Sequence, residues 1–344
     1  MKKYLLERFP LVWNTHLIWA LPLILATHLF FFSWGFAMVT DEAMGNYYFS
    51  LRNRFEGLPT VMNFIAIVLL LVGWFIRLFR NNAFERFYPV SRWQLFRQFV
   101  IYLFIMGGIL SSGLSFMVGE NTKVHWRYTD SYIHNVLRQY PKNLNFENIE
   151  RLPEAQQREY YIANNAKDIK EQLFIVGYEE EITMVATATF VLTLLLFAVR
   201  ITSLRTVLLS IVCGGVLCLL LGLVLIFVLS SNIFGTQDVY VVLAILWLTY
   251  LSMIALSIFS DKKQYRGIAM NISLFGFLPM TIVTLIAIWE RYDWWYPSLN
   301  IEEVYYYFWY NIKELIVSIG GILLSLVFIG LYTSVIKRWK AMPE

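Results

Sequence analysis

The chain has 344 residues, of which 58% are hydrophobic and 15% are charged, and its formal net charge is +4. Soluble globular domains carry about 25% charged residues, so this composition excludes an ordinary soluble enzyme or binding module. We therefore predict an integral membrane protein.

Apolar runs long enough to cross roughly 30 Å of hydrocarbon as helices recur along the whole chain. We predict about eight spans, which cover Ile18–Val39, Val61–Leu78, Phe99–Val118, Ile182–Val199, Val207–Leu229, Val239–Phe259, Ile268–Trp289 and Leu315–Ile336. The predicted fold class is an all-α polytopic membrane bundle, because helices satisfy their own backbone hydrogen bonds in lipid. Residues 1–118 hold three spans and residues 182–344 hold five.

A polar insert at residues 119–181 separates these two groups of spans. Pro153 precedes a stretch of helix-forming residues there, and Pro is well placed in a first helical turn. The incomplete apolar stripe of this stretch predicts an amphipathic helix against the outer ends of the spans.

Lys and Arg fall mainly on alternate loops, which is how inserted proteins retain loops on the cytoplasmic side. This distribution predicts cytoplasmic N- and C-termini and an external insert. Dense aromatic residues and compact loops fit the inner membrane of a bacterium, with membrane lipids as constant partners.

Common chemical motifs are absent from the sequence. It holds no phosphate-binding G-x-x-x-x-G-K-[ST] loop, no G-x-S-x-G elbow and no H-E-x-x-H metal motif. We predict no catalytic residues, no metal, no cofactor and, because no basic aromatic patch occurs, no nucleic-acid partner. Cys213 and Cys218 lie inside the fifth predicted span and are predicted to be buried apolar side chains.

His28 is the exception among spans that are otherwise almost free of ionisable groups away from their ends. Such groups are costly in hydrocarbon and persist where they are paired or functional. The favoured interpretation is a hydrogen bond to a neighbouring helix, and the alternative places His28 on a substrate path.

The longest predicted cytoplasmic loop covers residues 77–98 and mixes arginines with aromatic side chains. Pro89 interrupts any preceding helix, and Ser91 can cap the helix that leads into the third span. By its residues alone, this loop is predicted to anchor at the membrane surface.

The stretch Tyr88-Pro89-Val90-Ser91-Arg92-Trp93-Gln94-Leu95-Phe96 resembles the L-P-V-S-R-x-x-L/I-F loop of ABC-2 type permeases, the membrane subunits of ABC exporters. The resemblance implies that residues 85–97 dock on a separate ATPase subunit. The coupling residues that it implies are Glu85, Arg86, Pro89, Ser91, Arg92 and Trp93. The chain departs from the family pattern by its two additional spans, its external insert and the missing acid-Gly-Thr sequence before the Pro.

The resemblance implies a permease subunit of an ATP-driven exporter, in which a partner subunit hydrolyses ATP. The substrate path would lie between helices at a homodimer or heterodimer interface, and the scarcity of intramembrane charge favours an apolar or amphipathic substrate. Two alternatives stay open. One is a non-transporting scaffold or assembly factor whose insert binds an envelope partner, and the other is a lipid-modifying enzyme that uses Glu179, Glu180, Glu181 or Asp293.

Overall fold

The structure is a computed structural model that describes residues 4, 7–41, 57–80, 91–127, 132, 135, 156, 178–231, 238–293 and 303–342. The helices in this part of the chain are α1 Pro10–Asn14, α2 Leu17–Met38, α3 Leu58–Arg80, α4 Arg92–Leu110, α5 Ser112–Arg127, α6 Glu179–Ile201, α7 Leu204–Ser231, α8 Asp238–Phe259, α9 Lys263–Asp293 and α10 Glu303–Lys340. No strand occurs among these residues.

Eight of these helices are long and apolar enough to cross a membrane: α2, α3, α4, α6, α7, α8, α9 and α10. The predicted all-α polytopic class is therefore confirmed. The agreement has a simple cause, because hydrocarbon leaves the backbone no partner except its own helix.

The third span differs most from its prediction. It begins at Arg92, seven residues before the predicted Phe99, because Arg97 and Gln98 interrupt the apolar run without interrupting the helix. After a turn at Ser111 the chain continues as α5 to Arg127, which lies inside the predicted insert. Most of the insert lies outside the described residues, including the helix predicted after Pro153.

The chain forms two compact units. Unit 1 contains Met1–Thr15, Leu78–Gly107 and Thr183–Glu344, and unit 2 contains His16–Arg77 and Gly108–Ile182. Helices α3, α4 and α6 contribute residues to both units.

Unit 1 is built around the packing of α9 against α7, α8 and α10. The Phe277 and Phe328 rings stack at 4.2 Å, and Tyr250 Oη donates to the Ser273 carbonyl at 2.9 Å. Asn271, which is fully buried, donates from Nδ2 to Ser210 Oγ at 3.2 Å. Stacked rings and paired polar side chains thus hold helices that have no hydrophobic driving force between them in lipid.

Unit 2 is built around close contact between α2 and α5. A Cβ atom at Gly35 would stand 2.0 Å from the Phe116 carbonyl oxygen, and one at Gly119 would stand 2.1 Å from the Phe32 carbonyl oxygen. Only glycine fits at these two positions, since the backbones themselves touch there.

Candidate functional site

The first turn of α4 carries three of the residues implied by the permease resemblance, and a capping box fixes it. The Gln94 backbone N–H donates to Ser91 Oγ at 3.2 Å, and the Ser91 backbone N–H donates to Gln94 Oε1 at 3.4 Å. Two backbone donors that a helix start leaves unpaired are satisfied in this reciprocal way. The structure therefore confirms that Ser91 caps the helix that becomes the third span.

Arg92 and Trp93 lie on the exposed face of this turn. Trp93 is 56% exposed, and the Arg92 guanidinium lies 5.4 Å from the centroid of its ring. Arg97 is exposed one turn further along. A cation over an indole face is attracted by the ring quadrupole, so the pair is held together as one surface feature.

The opposite face of α4 is buried within unit 1. Leu95, Gln98 and Phe99 are almost completely covered. The Phe99 ring meets the Phe197 ring of α6 edge to face at a centroid distance of 5.0 Å. The exposed pair is thus mounted on a helix whose rotation about its own axis is fixed by packing.

The other residues implied by the resemblance, Glu85, Arg86 and Pro89, lie outside the described residues. The structure therefore brings together Ser91, Arg92 and Trp93, and it leaves the docking role of the loop a prediction.

His28 of α2 lies elsewhere, in unit 2, beside Gly108 at the end of α4 and Ser115 of α5. Its Nε2 atom lies 2.7 Å from the Gly108 carbonyl oxygen, and its Nδ1 atom lies 2.5 Å from Ser115 Oγ. A carbonyl oxygen only accepts, so a neutral imidazole satisfies both contacts as the Nε2–H tautomer, with the Ser115 hydroxyl donating to Nδ1.

Both ring nitrogens of His28 are therefore used in helix packing, as the favoured sequence interpretation expects. Its alternative role on a substrate path stays a prediction. The small residues around this contact serve close helix packing, since a Cβ at Gly108 would stand 2.9 Å from the Ile24 side chain of α2.

A buried carboxyl group and a buried phenol in unit 2 were not anticipated from the sequence. Glu120 on α5 is fully buried, and Tyr178, immediately before α6, is 2% exposed. Burial raises the pKa of Tyr178, and the Glu120 and Glu181 carboxylates raise the pKa further. One sequence signal exists, since Glu120 continues the buried four-residue repeat of Ser112, Phe116 and Val124.

Arg200 was also missed, because the sequence groups it with Arg205 as one of two cations flanking a short loop. The structure separates them: Arg200 is 8% exposed, whereas Arg205 is exposed.

The prediction that the two cysteines are buried is wrong. Cys213 and Cys218 are exposed on α7, because this helix turns most of its circumference outward.

No group of three or more metal-binding side chains occurs among the residues that the structure describes. His125 is close to the Asn121 carbonyl of its own helix, at 2.9 Å from Nδ1 to oxygen. His134 lies outside the described residues.

These helices define the chain as a multi-pass helical membrane protein. Comparison with known protein families, with curated proteins and with solved structures finds no match for this chain. Its own residues and contacts are therefore the grounds on which a function can be argued.

Proposed function

We propose that this chain is the membrane-spanning permease subunit of an ATP-driven (ABC) exporter and works with a separate ATPase subunit. The observation that carries the proposal is the exposed Arg92–Trp93 pair on the capped first turn of α4. It stands where the sequence resembles the docking loop of ABC-2 type permeases. Arg and Trp are also enriched among the side chains that dominate protein interfaces.

The packing of α4 supports a mechanical role for this turn. Phe99 packs on α6, and the Phe96 ring lies beside Gly330 of α10, 3.6 Å from where a Cβ would stand. A force applied at Arg92 would therefore pass to two further helices of unit 1. In the proposed cycle, closure of the ATPase moves α4, and α4 moves the bundle.

The distribution of charge supports an apolar or amphipathic substrate. In the described spans, charged residues stand near the ends of the membrane-crossing windows, as Arg77 does in α3 and Arg97 does in α4. A coupled proton or cation would need ionisable groups deeper in the bundle, where His28 of α2 is used in contacts between helices. The proposal places the substrate path between helices at a homodimer or heterodimer interface.

The proposal also includes the inner membrane of a bacterium and cytoplasmic N- and C-termini. Eight crossings, the number of candidate spans among the described residues, would return the chain to the side on which it begins, and the Lys and Arg of alternate loops support the cytoplasm as that side.

Affinity purification tests the proposal with the full-length tagged protein in native membranes and mild detergent. Co-purifying proteins are identified by mass spectrometry, and ATPase activity is measured on the same sample. The test variant combines Arg92→Glu with Trp93→Ala. Arg338→Glu is the matched control, because Arg338 is exposed in the last turn of α10 and is predicted to lie on the same membrane side.

We expect an ATPase with a phosphate-binding loop to accompany the parent protein and the control, and to be lost from the test variant. If no ATPase accompanies the parent, the permease function is wrong and the scaffold function takes its place. If the ATPase binds the test variant as well as the parent, the docking role of the α4 turn is wrong.

A further inference from the structure

Arg200 stands in the last turn of α6 and is buried within unit 1. A guanidinium withdrawn from water is costly unless its donors are satisfied, so its contacts define where it has to lie. Those contacts reach two other helices.

The first contact is with the end of α3. Arg200 Nη1 donates to the Leu78 carbonyl oxygen at 3.4 Å, and its Cζ lies 5.4 Å from the centroid of the Phe79 ring. Leu78 is two residues from Arg80, where α3 ends. The last carbonyls of a helix lack partners within the helix and form the negative end of its dipole, so a cation is favourable there.

The second contact is with the buried face of α4. The Arg200 guanidinium lies against the hydroxyl of Tyr102, which is itself fully buried. Tyr102 Oη also accepts a hydrogen bond from Gln98 Nε2 at 3.0 Å, one turn nearer to the start of α4. One side chain thus joins the end of α3 to the middle of α4.

We propose that Arg200 is the positioning residue that fixes the end of α3 and the start of α4 relative to each other. These two helix ends flank residues 81–90 of the loop that carries the proposed docking function. Tyr102 lies ten residues from Arg92, which is about 15 Å along a helix. The Arg200 contact therefore sets where the Arg92–Trp93 pair is presented.

This inference rests on the proposed function in one respect, which is that the Arg92–Trp93 pair positioned by Arg200 docks an ATPase. The joining of α3 to α4 by Arg200 does not depend on that function. The chemistry also requires arginine. A planar guanidinium with five N–H donors bonds a carbonyl, meets a hydroxyl and stacks over a ring at once, whereas a lysine ammonium is a compact point charge. Lysine at this position should restore the charge without restoring the geometry.

Electron paramagnetic resonance distance measurements test this inference with the full-length chain in lipid nanodiscs. Cys213 and Cys218 are replaced by Ser, and spin labels are attached at Arg80→Cys and Arg97→Cys, two exposed positions of unit 1. We expect one narrow distance peak for this background. Arg200→Gln should lose the narrow peak, because the amide cannot span both contacts.

Three comparisons make the result specific. Tyr102→Phe, which removes only a hydroxyl, should broaden the peak less than Arg200→Gln does, and Arg205→Gln should leave it unchanged. A reference pair of labels at Leu251→Cys and Leu331→Cys, exposed on α8 and α10, should keep its distance in Arg200→Gln. This reference separates loss of positioning from loss of fold.

The inference is overturned if Arg200→Gln keeps the narrow peak, if Arg200→Lys restores it fully, or if the reference pair broadens equally. ATPase binding is measured on the same variants. About tenfold weaker binding in Arg200→Gln, with Arg92 and Trp93 intact, supports both the positioning and the proposed function. If the peak is lost in Arg200→Gln but the parent binds no ATPase, the positioning role holds and the proposed function fails.

Discussion

The backbone contact between α2 and α5 in unit 2 gives the first stability prediction. Replacing Gly119 by Ala would place a Cβ 2.1 Å from the Phe32 carbonyl oxygen, whereas ordinary contact begins near 3.4 Å. The neighbouring atom belongs to a helix backbone and cannot rotate away, so α2 and α5 must separate by about 1.3 Å. A gap of even 0.5–1 Å forfeits roughly a quarter to a half of a dispersion contact.

We expect Gly119→Ala to destabilise the protein by about 3 kcal/mol, at the upper end of the range for overpacked interiors. Gly222→Ala is the matched control. No atom lies within 4 Å of a Cβ at Gly222 on α7, and alanine is the better helix former, so the control should be neutral or slightly stabilising.

The assay is the loss of monodisperse full-length protein on heating, followed by fluorescence-detected size-exclusion chromatography in one detergent. Gly119→Ala should melt well below the parent, and Gly35→Ala, whose Cβ would meet the Phe116 carbonyl at 2.0 Å, should behave alike. Equal melting temperatures for Gly119→Ala and Gly222→Ala would refute the backbone contact on which this reasoning depends.

Three further predictions concern single contacts. Ser91→Ala should cost about 1 kcal/mol of stability through loss of the α4 cap, whereas Ser91→Asp, which keeps an acceptor, should retain the parent's melting temperature. A double-mutant cycle between His28 and Ser115 should give a coupling of about 0.5–2 kcal/mol, and a cycle that closes to zero would show that the contact contributes nothing. Burial and Arg127 lower the pKa of Lys123, while Asp41 raises it. Asp41→Asn should therefore lower that pKa further, leave more neutral amine at pH 8 and speed acylation of Lys123, as read by mass spectrometry; slower acylation would reverse the assigned sign.

The spans were predictable because their signal is local. About twenty predominantly apolar residues identify a membrane helix whatever it packs against, and the described part of the chain holds eight such helices. The boundary of α4 was misplaced because polar residues such as Gln98 mark the end of an apolar run even when they are buried within the fold. A helix that begins in the interfacial region has no hydropathy signal at its start.

The partners of individual side chains were not predictable, because they belong to helices far apart in sequence. Arg200 and Arg205 are indistinguishable in a list of loop cations, and only the approach of Leu78 and Tyr102 buries the first of them. His28 was better constrained. A polar ring within a span must find donors and acceptors on a neighbouring helix, although the sequence does not say which one.

The manner in which α7 is held has a consequence for the bilayer itself. Asn271 binds it at Ser210, and beyond that point none of its described side chains is buried. Its apolar stretch Leu204–Val228 is about 37 Å long as a helix, which exceeds the roughly 30 Å of hydrocarbon. Hydrophobic mismatch of this size is relieved by tilting. Beyond Ser210 its side chains are at most half-buried, so we expect α7 to change its inclination in thinner or thicker membranes more than the helices with buried faces beside it do.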